Sequence, residues 1–268
     1  MSHKIYRITL NKNIDNDKRK KIGKTTAKTY NNYMNKEQVS KEAIEWVKKN
    51  KKKLVTMFAC PSIFPPQEKP VSVFMAGSPG AGKTEFVKNF IKSFEEKDQK
   101  KVIHIDADEI RKILPGYNGK NSYLFQAACS IGIERIHDIA LKNKQSFIFD
   151  GTFSNFKKSK ENIERSLARG RKISIFYLYQ NPLIAWKFTQ KREKEEGRSI
   201  PKEIFIKQFF SAKENVEKVK EIFGNQVQVD FVEKDFYSNL KKVKMNIERI
   251  DSYVSVKYSK KDLKNKLL

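Results

Sequence analysis

One stretch, VSVFMAGSPGAGKTEFVKN from Val71 to Asn89, constrains this chain more than any other. Val71, Val73, Phe74 and Met75 form an apolar run into it, and Phe86, Val87, Phe90 and Ile91 leave it at helical spacing. Between them, Gly77-Ser78-Pro79-Gly80-Ala81-Gly82-Lys83-Thr84 fits G-x-x-x-x-G-K-[ST], the phosphate-binding loop. The chemistry requires these residue types. Gly77, Gly80 and Gly82 let the backbone curl so that its N–H groups point at phosphate oxygens. A helix starting near Lys83 adds the positive end of its dipole. Lys83 then reaches the β- and γ-phosphates of ATP, and the Thr84 hydroxyl ligates Mg²⁺. A chance glycine-rich turn would lack this strand–loop–helix setting.

A chain of 268 residues can bury a sizeable core, as one domain or one domain with an appendage. No apolar run reaches the ~18 residues of a membrane helix. The N-terminus, MSHKIYRITLNKN, lacks the apolar centre of a secretory signal. Cys60 and Cys129 form no disulfide framework or CxxC site, and His3, His104 and His137 are too scattered for structural zinc. The expectation is a cytoplasmic protein with no membrane contact. The net charge of +25 comes from 56 Lys+Arg against 31 Asp+Glu. It suits nucleic-acid binding or simply a lysine-rich surface. The lysines are spread along the whole chain, which favours the second reading.

Three segments follow from the pattern: a basic arm and helical extension over 1–69, a core over 70–235, and a C-terminal helix with a basic, loose tail over 236–268. The arm carries Lys18-Arg19-Lys20-Lys21, and 37–58 reads as helix with Ala43, Trp46, Val47, Leu54 and Phe58 for one face. Strands are expected at 101–106, 146–149, 173–179 and 227–232. Helices are expected at 122–142, 157–169, 183–195, around 205–223 and at 236–252. On 122–142, Gln126, Ser130, Glu134 and His137 make a polar stripe beside an apolar one. Alternating strands and helices imply an α/β fold with a parallel sheet covered on both faces, with ligands at the carboxyl ends of the strands.

Those strand ends carry candidate chemistry. Asp106 and Asp108 follow the second strand. Either could accept a proton from an attacking hydroxyl, and either could cap the next helix. Asp150 resembles a carboxylate that holds the Mg²⁺ shell, or it closes a strand in a D-G turn, with Thr152 just beyond. Arg192 and Arg198 could close over a triphosphate, or belong to a solvated helix end.

The ordered set GSPGAGKTE, IDADEIRKILPGY, SFIFDGT and LYQNPLIAWKFTQKREKEEGRSIP resembles the zeta toxin family of bacterial P-loop kinases, over roughly residues 70 to 224. The resemblance implies a P-loop kinase core with a five-stranded parallel sheet flanked by helices, here with a helical N-terminal extension. It implies ATP and Mg²⁺, and transfer of the γ-phosphate to a hydroxyl of a nucleotide-activated sugar, UDP-N-acetylglucosamine in the best-known members. By position, Lys83 and Thr84 match the ATP and Mg²⁺ residues, and Asp108, followed by Glu109 and Arg111, the catalytic base. Glu134 and Thr152 match substrate-binding residues, with Glu109 and Arg111 counted among them, and Arg192 and Arg198 the phosphate-holding arginines. An antitoxin protein is an implied partner. Two other readings remain open at this point: a polynucleotide or RNA 5′-hydroxyl kinase, and a basic nucleic-acid-binding P-loop protein.

Overall fold

The computed structural model describes residues 36–98, 101–235, 237, 239–254 and 256–267. The basic arm over 1–35 lies outside the described residues. Two helices come first, α1 (Lys36–Lys49) and α2 (Lys51–Phe58). Then follow β1 (Val71–Ala76), α3 (Lys83–Asp98), β2 (Ile103–Asp106), α4 (Ala107–Lys112) and, after a 3-10 turn, α5 (Gln126–Lys142). The rest is β3 (Phe147–Asp150), α6 (Phe156–Leu167), β4 (Lys172–Tyr179), α7 (Pro182–Glu196), α8 (Lys202–Phe223), β5 (Val227–Lys234), β6 (Leu240–Lys244) and α9 (Lys260–Lys266).

The strands form one mixed sheet in the order β2-β3-β1-β4-β5-β6. All pairings from β2 to β5 are parallel, and β6 runs antiparallel on β5. The inner strands are nearly continuous apolar runs, as a sheet buried on both faces requires. On one face Val87 of α3, with Phe86, Phe90 and Phe94 beside it, packs on Val73, Met75, Ile148, Phe176 and Leu178. On the other, α5 and α8 cover Phe74, Ile105, Phe147, Ile175 and Phe231. The chain leaves β1 towards β2 on one side and later crosses to β4 on the other. The carboxyl end of β1 is therefore a switch point, where open α/β sheets bind ligands.

The extension is helical, but broken at Asn50, whose side-chain amide donates to the Trp46 carbonyl. Val39, Ala43, Val47 and Leu54 are buried against the core, chiefly on α5. The Gln145 amide then donates to the Ala59 and Phe64 carbonyls, which fixes the connector into β1.

Two expectations for the C-terminal segment fail. The expected helix over 236–252 is not formed by the residues described there, 237 and 239–252, which hold β6 and a 3-10 turn at Ile250–Ser252. β5 otherwise leaves an unpaired row of backbone groups, and that demand outweighs weak local periodicity. Lys241, Lys242 and Lys244 are the kind of residue that keeps the new edge from pairing further. The expected five-stranded parallel sheet is therefore a mixed sheet of six. The tail is not loose either. Ser259 and Asp262 form a capping box on α9, and Leu263 and Leu267 are buried beside Ala185, Phe205 and Ile206.

His137 does not share the outer polar stripe of α5. It is fully buried, edge-on to Phe147 and Phe149, with Arg165 donating to its Nδ1. Burial, helped by Arg165 and Arg171, pulls its pKa down to about 3. The unfolded chain takes up this proton below ~6.5 and the folded one does not, so stability falls as pH drops from 6.5 towards 3. The expected loss is up to ~1.4 kcal/mol per pH unit, measured by urea unfolding at pH 6.5, 5.5 and 4.5. His137→Gln should flatten that slope; an unchanged slope would assign it to other groups. Leu54→Ala should cost ~2–5 kcal/mol in the same assay at pH 7.5. A loss under ~0.5 kcal/mol would mean that the extension packs too loosely to matter.

Candidate active site

The loop after β1 is pressed against its neighbours. Gly77 has φ +138° and a Cβ there would sit 2.3 Å from the Leu178 carbonyl oxygen of β4. Gly80 has φ +73° and a Cβ would sit 2.1 Å from the Ala185 oxygen of α7. Only glycine fits both the dihedrals and the space. Ser78, Pro79, Ala81 and Gly82 complete the turn, and Lys83 and Thr84 open α3. Lys83 Nζ donates to the Gly77 and Ser78 carbonyls at 3.0 and 2.7 Å. Burial pulls its ammonium down to about 8, against the pull of Asp150.

β2 and β3 end in register, Asp106 opposite Asp150. Thr84 Oγ1 donates to Asp150 Oδ2 at 2.9 Å, and His104 Nε2 lies 3.3 Å from the same oxygen. Asp106 closes its strand by accepting the Asp108 N–H at 2.9 Å through Oδ1. Its Oδ2 has no hydrogen-bond partner. Burial, with Asp108 and Asp150 nearby, raises this carboxyl to about 6.

Asp108 is the hub of a charge cluster assembled from three segments. Its Oδ1 accepts from Arg111 of α4, and its Oδ2 accepts from Arg192 of α7 at 2.8 Å and from Arg198 just beyond that helix. Burial alone would push the Asp108 carboxyl up, but Arg198, Arg192 and Arg111 outweigh it and hold it below the usual carboxylate range. Arg192 also reaches Glu196 at 3.0 Å, and Arg111 reaches Gln126 of α5. Glu109 stands apart, on the helix surface paired with Lys112.

A cavity of about 230 Å³ opens beside the loop. Glu134, Gln126 and Ser130 line it from α5, Phe149 and Thr152 from β3 and the turn after it, and Asn162 from α6. Glu134 pairs with Arg165 at 3.0 Å, and Thr152 Oγ1 lies 2.7 Å from Ser154 Oγ. The Gly77 N–H donates to the Thr152 carbonyl at 3.3 Å, which ties the cavity wall to the phosphate loop.

Two residues of this region escaped the sequence reading. His104 shares a strand face with Asp106 by the period-2 rule, a signal available in IHID. Lys234, at the end of β5, is buried with its Nζ beside Gly82 and 3.2 Å from Glu85. Its signal is only its place at a strand end.

A P-loop strand–turn–helix at the carboxyl end of the central strand of a largely parallel sheet, with Asp108 and its three arginines beyond the end of β2, is the arrangement of a P-loop phosphotransferase fold. The family model described as zeta toxin matches residues 55–244, and the chain belongs to that family. Comparison with curated protein sequences gives no match. Among solved structures, one of the PezAT chromosomal toxin–antitoxin system of Streptococcus pneumoniae aligns at 15% identity. It has a TM-score of 0.55 and covers 85% of this chain and 87% of that one. The AvrRxo1-ORF1:-ORF2 complex with ATP aligns at 12% identity and a TM-score of 0.53, covering 82% and 74%. Both likenesses show a shared fold. No helix of the described residues is long and apolar enough to cross a membrane.

Gly80→Ala tests the tight packing of the loop. The new methyl must displace α7, so the variant should lose about 2 kcal/mol or more of stability and most of its affinity for an ATP analogue. Thermal melting and calorimetric titration measure the two effects. Normal binding at normal stability would mean that the loop has room to spare.

Proposed function

We propose that the protein is an ATP-dependent kinase that transfers the γ-phosphate to a sugar hydroxyl of a nucleotide-activated sugar, with UDP-N-acetylglucosamine the leading acceptor. Family membership supports the reaction, and one observation carries the site: Asp108 gathers three arginines, of which Arg111 also reaches Gln126 in the wall of the Glu134–Thr152 cavity, while Asp108, Arg192 and Arg198 lie close enough to act on the charge of Lys83 in the phosphate loop. The loop N–H groups and Lys83 bind the ATP phosphates. Thr84 and Asp150, 2.9 Å apart, fit the coordination of Mg²⁺, which when bound neutralises developing phosphate charge. The cavity lies below the ~300–1,000 Å³ of sites that enclose a whole drug-sized ligand. It suits one sugar ring, with Glu134 and Thr152 accepting or donating to its hydroxyls and the nucleotide end outside.

Asp108 holds Arg192 and Arg198. The phosphates of ATP are stronger competitors for the two guanidiniums. As the arginines turn to the phosphates, Asp108 is released to accept the proton of the attacking hydroxyl. Arg111, on the same helix, keeps the carboxylate oriented. Arg192 and Arg198 then stabilise charge on the transferring group. Glu109 is assigned no contact with substrate in this reading, although the family match had suggested one. The division at 69 and 235 serves as a working description of extension, core and tail. The toxin–antitoxin system among the structural relatives supports a protein antitoxin as partner.

The decisive assay incubates the protein with γ-labelled ATP and a panel of UDP-sugars, nucleotides and short RNAs, and identifies the labelled product by mass. The expected product is a UDP-sugar carrying one added phosphate. Labelled RNA ends without a labelled UDP-sugar would make it a nucleic-acid kinase instead. Asp108→Asn should lose roughly 10²–10⁴-fold in turnover. Its affinity for an ATP analogue should hold or rise, because two arginines lose their competing carboxylate. Near-normal turnover would remove Asp108 as the base.

A further inference from the structure

Beside the loop lies a ligand set of which only Asp150 also serves the proposed Mg²⁺ site. A ring nitrogen of His104 and carboxylate oxygens of Asp106 and Asp150 all fall within 4.8 Å of one another. They come from neighbouring parallel strands in register, so the sheet itself sets their spacing. Asp106 is only 6% exposed, and one of its oxygens is buried with no hydrogen-bond donor. A buried carboxylate oxygen without a partner is costly, and the cost is offset if a cation visits. His104 Nε2 and Asp150 Oδ2 are 3.3 Å apart. Two donors on one cation with bonds of ~2.1 Å at right angles sit about 3 Å apart. His104 keeps about a fifth of its side chain exposed, which leaves an approach from the cleft.

We propose that His104, Asp106 and Asp150 form a divalent-cation site that prefers a first-row transition metal over Mg²⁺ and fills before nucleotide arrives. Mg²⁺ is a hard cation that selects oxygen donors and keeps its waters. An imidazole nitrogen beside two carboxylates favours Mn²⁺, Fe²⁺, Co²⁺ or Zn²⁺ instead. Asp150 belongs to both ligand sets. The cation held by the strand ends thus lies next to the Thr84 hydroxyl and the phosphate loop.

The probe is Co²⁺, added to the full chain without nucleotide at pH 7.5 and followed by calorimetric titration and visible absorption. A His3→Gln background removes the N-terminal imidazole as a competing ligand. One Co²⁺ per chain is expected, bound at least ~10-fold more tightly than Mg²⁺. His104→Gln should weaken Co²⁺ at least ~10-fold and change Mg²⁺ affinity less than ~3-fold. Three results would each overturn the proposal: no Co²⁺ binding at millimolar concentration, affinity no better than for Mg²⁺, or affinity unchanged by His104→Gln. If melting shows that His104→Gln is unfolded, proton NMR of the parent chain decides. Zn²⁺, a diamagnetic stand-in for Co²⁺ here, must on binding shift the ring resonances of one histidine and leave those of the buried His137 close to their original positions. Unmoved histidine resonances overturn the site. The test involves no phosphate transfer, so its failure would leave the kinase reading standing.

Discussion

The contact of the phosphate-loop backbone with β4 and α7 organises the rest of the molecule. At Gly77 and Gly80 the main chain meets the Leu178 and Ala185 carbonyls where no side chain fits. That contact sets the height of α3 over the sheet and so the positions of Lys83 and Thr84. It also fixes the start of α7, whose far end carries Arg192 and is followed by Arg198. A rigid backbone contact suits this purpose, because anion-binding N–H groups act only if their directions are set before the phosphate arrives.

Asp108 performs the complementary task across the cleft. One carboxylate gathers guanidiniums from α4, from α7 and from the segment after α7. The arginines differ in exposure: Arg111 is buried, whereas Arg192 and Arg198 keep solvent contact. The buried pair persists and the two half-exposed ones can exchange partners at lower cost, since solvent screens and replaces their interactions. The same cluster is thus a structural tie across three segments that also concentrates positive charge at one place.

α5 links the extension to the cavity. One stripe packs on the sheet and another meets α1 and α2, while Gln126, Ser130 and Glu134 face the cavity. Burial of Val39, Ala43, Val47 and Leu54 therefore supports from behind the helix that shapes the pocket. Arg165 of α6 completes this side by holding Glu134 and Asp138. The acidic residue expected to meet substrate is already oriented before substrate binds.

Much of this was legible in the chain itself. The phosphate loop depends on local residue types at fixed spacing, and so did the alternation of strands and helices; Asp106 was one of two cap candidates, whereas Asp108, Glu134, Thr152, Arg192 and Arg198 were singled out as site candidates through the family resemblance. Periodicity and turn chemistry act over a few residues, which is why a sequence records them. The partners of those residues were not legible. That Asp108 binds Arg198, 90 positions away, depends on how α7 folds over the sheet. His104 joined Asp150 only when β2 and β3 paired in register, and His137 left the polar stripe because α5 turned it onto Phe147 and Phe149. Residues 236–252 show the same limit from the opposite side. Their own pattern suggested a helix, and the open edge of β5 made part of them a strand, because unpaired backbone hydrogen bonds belong to the sheet as a whole and not to any stretch of residues.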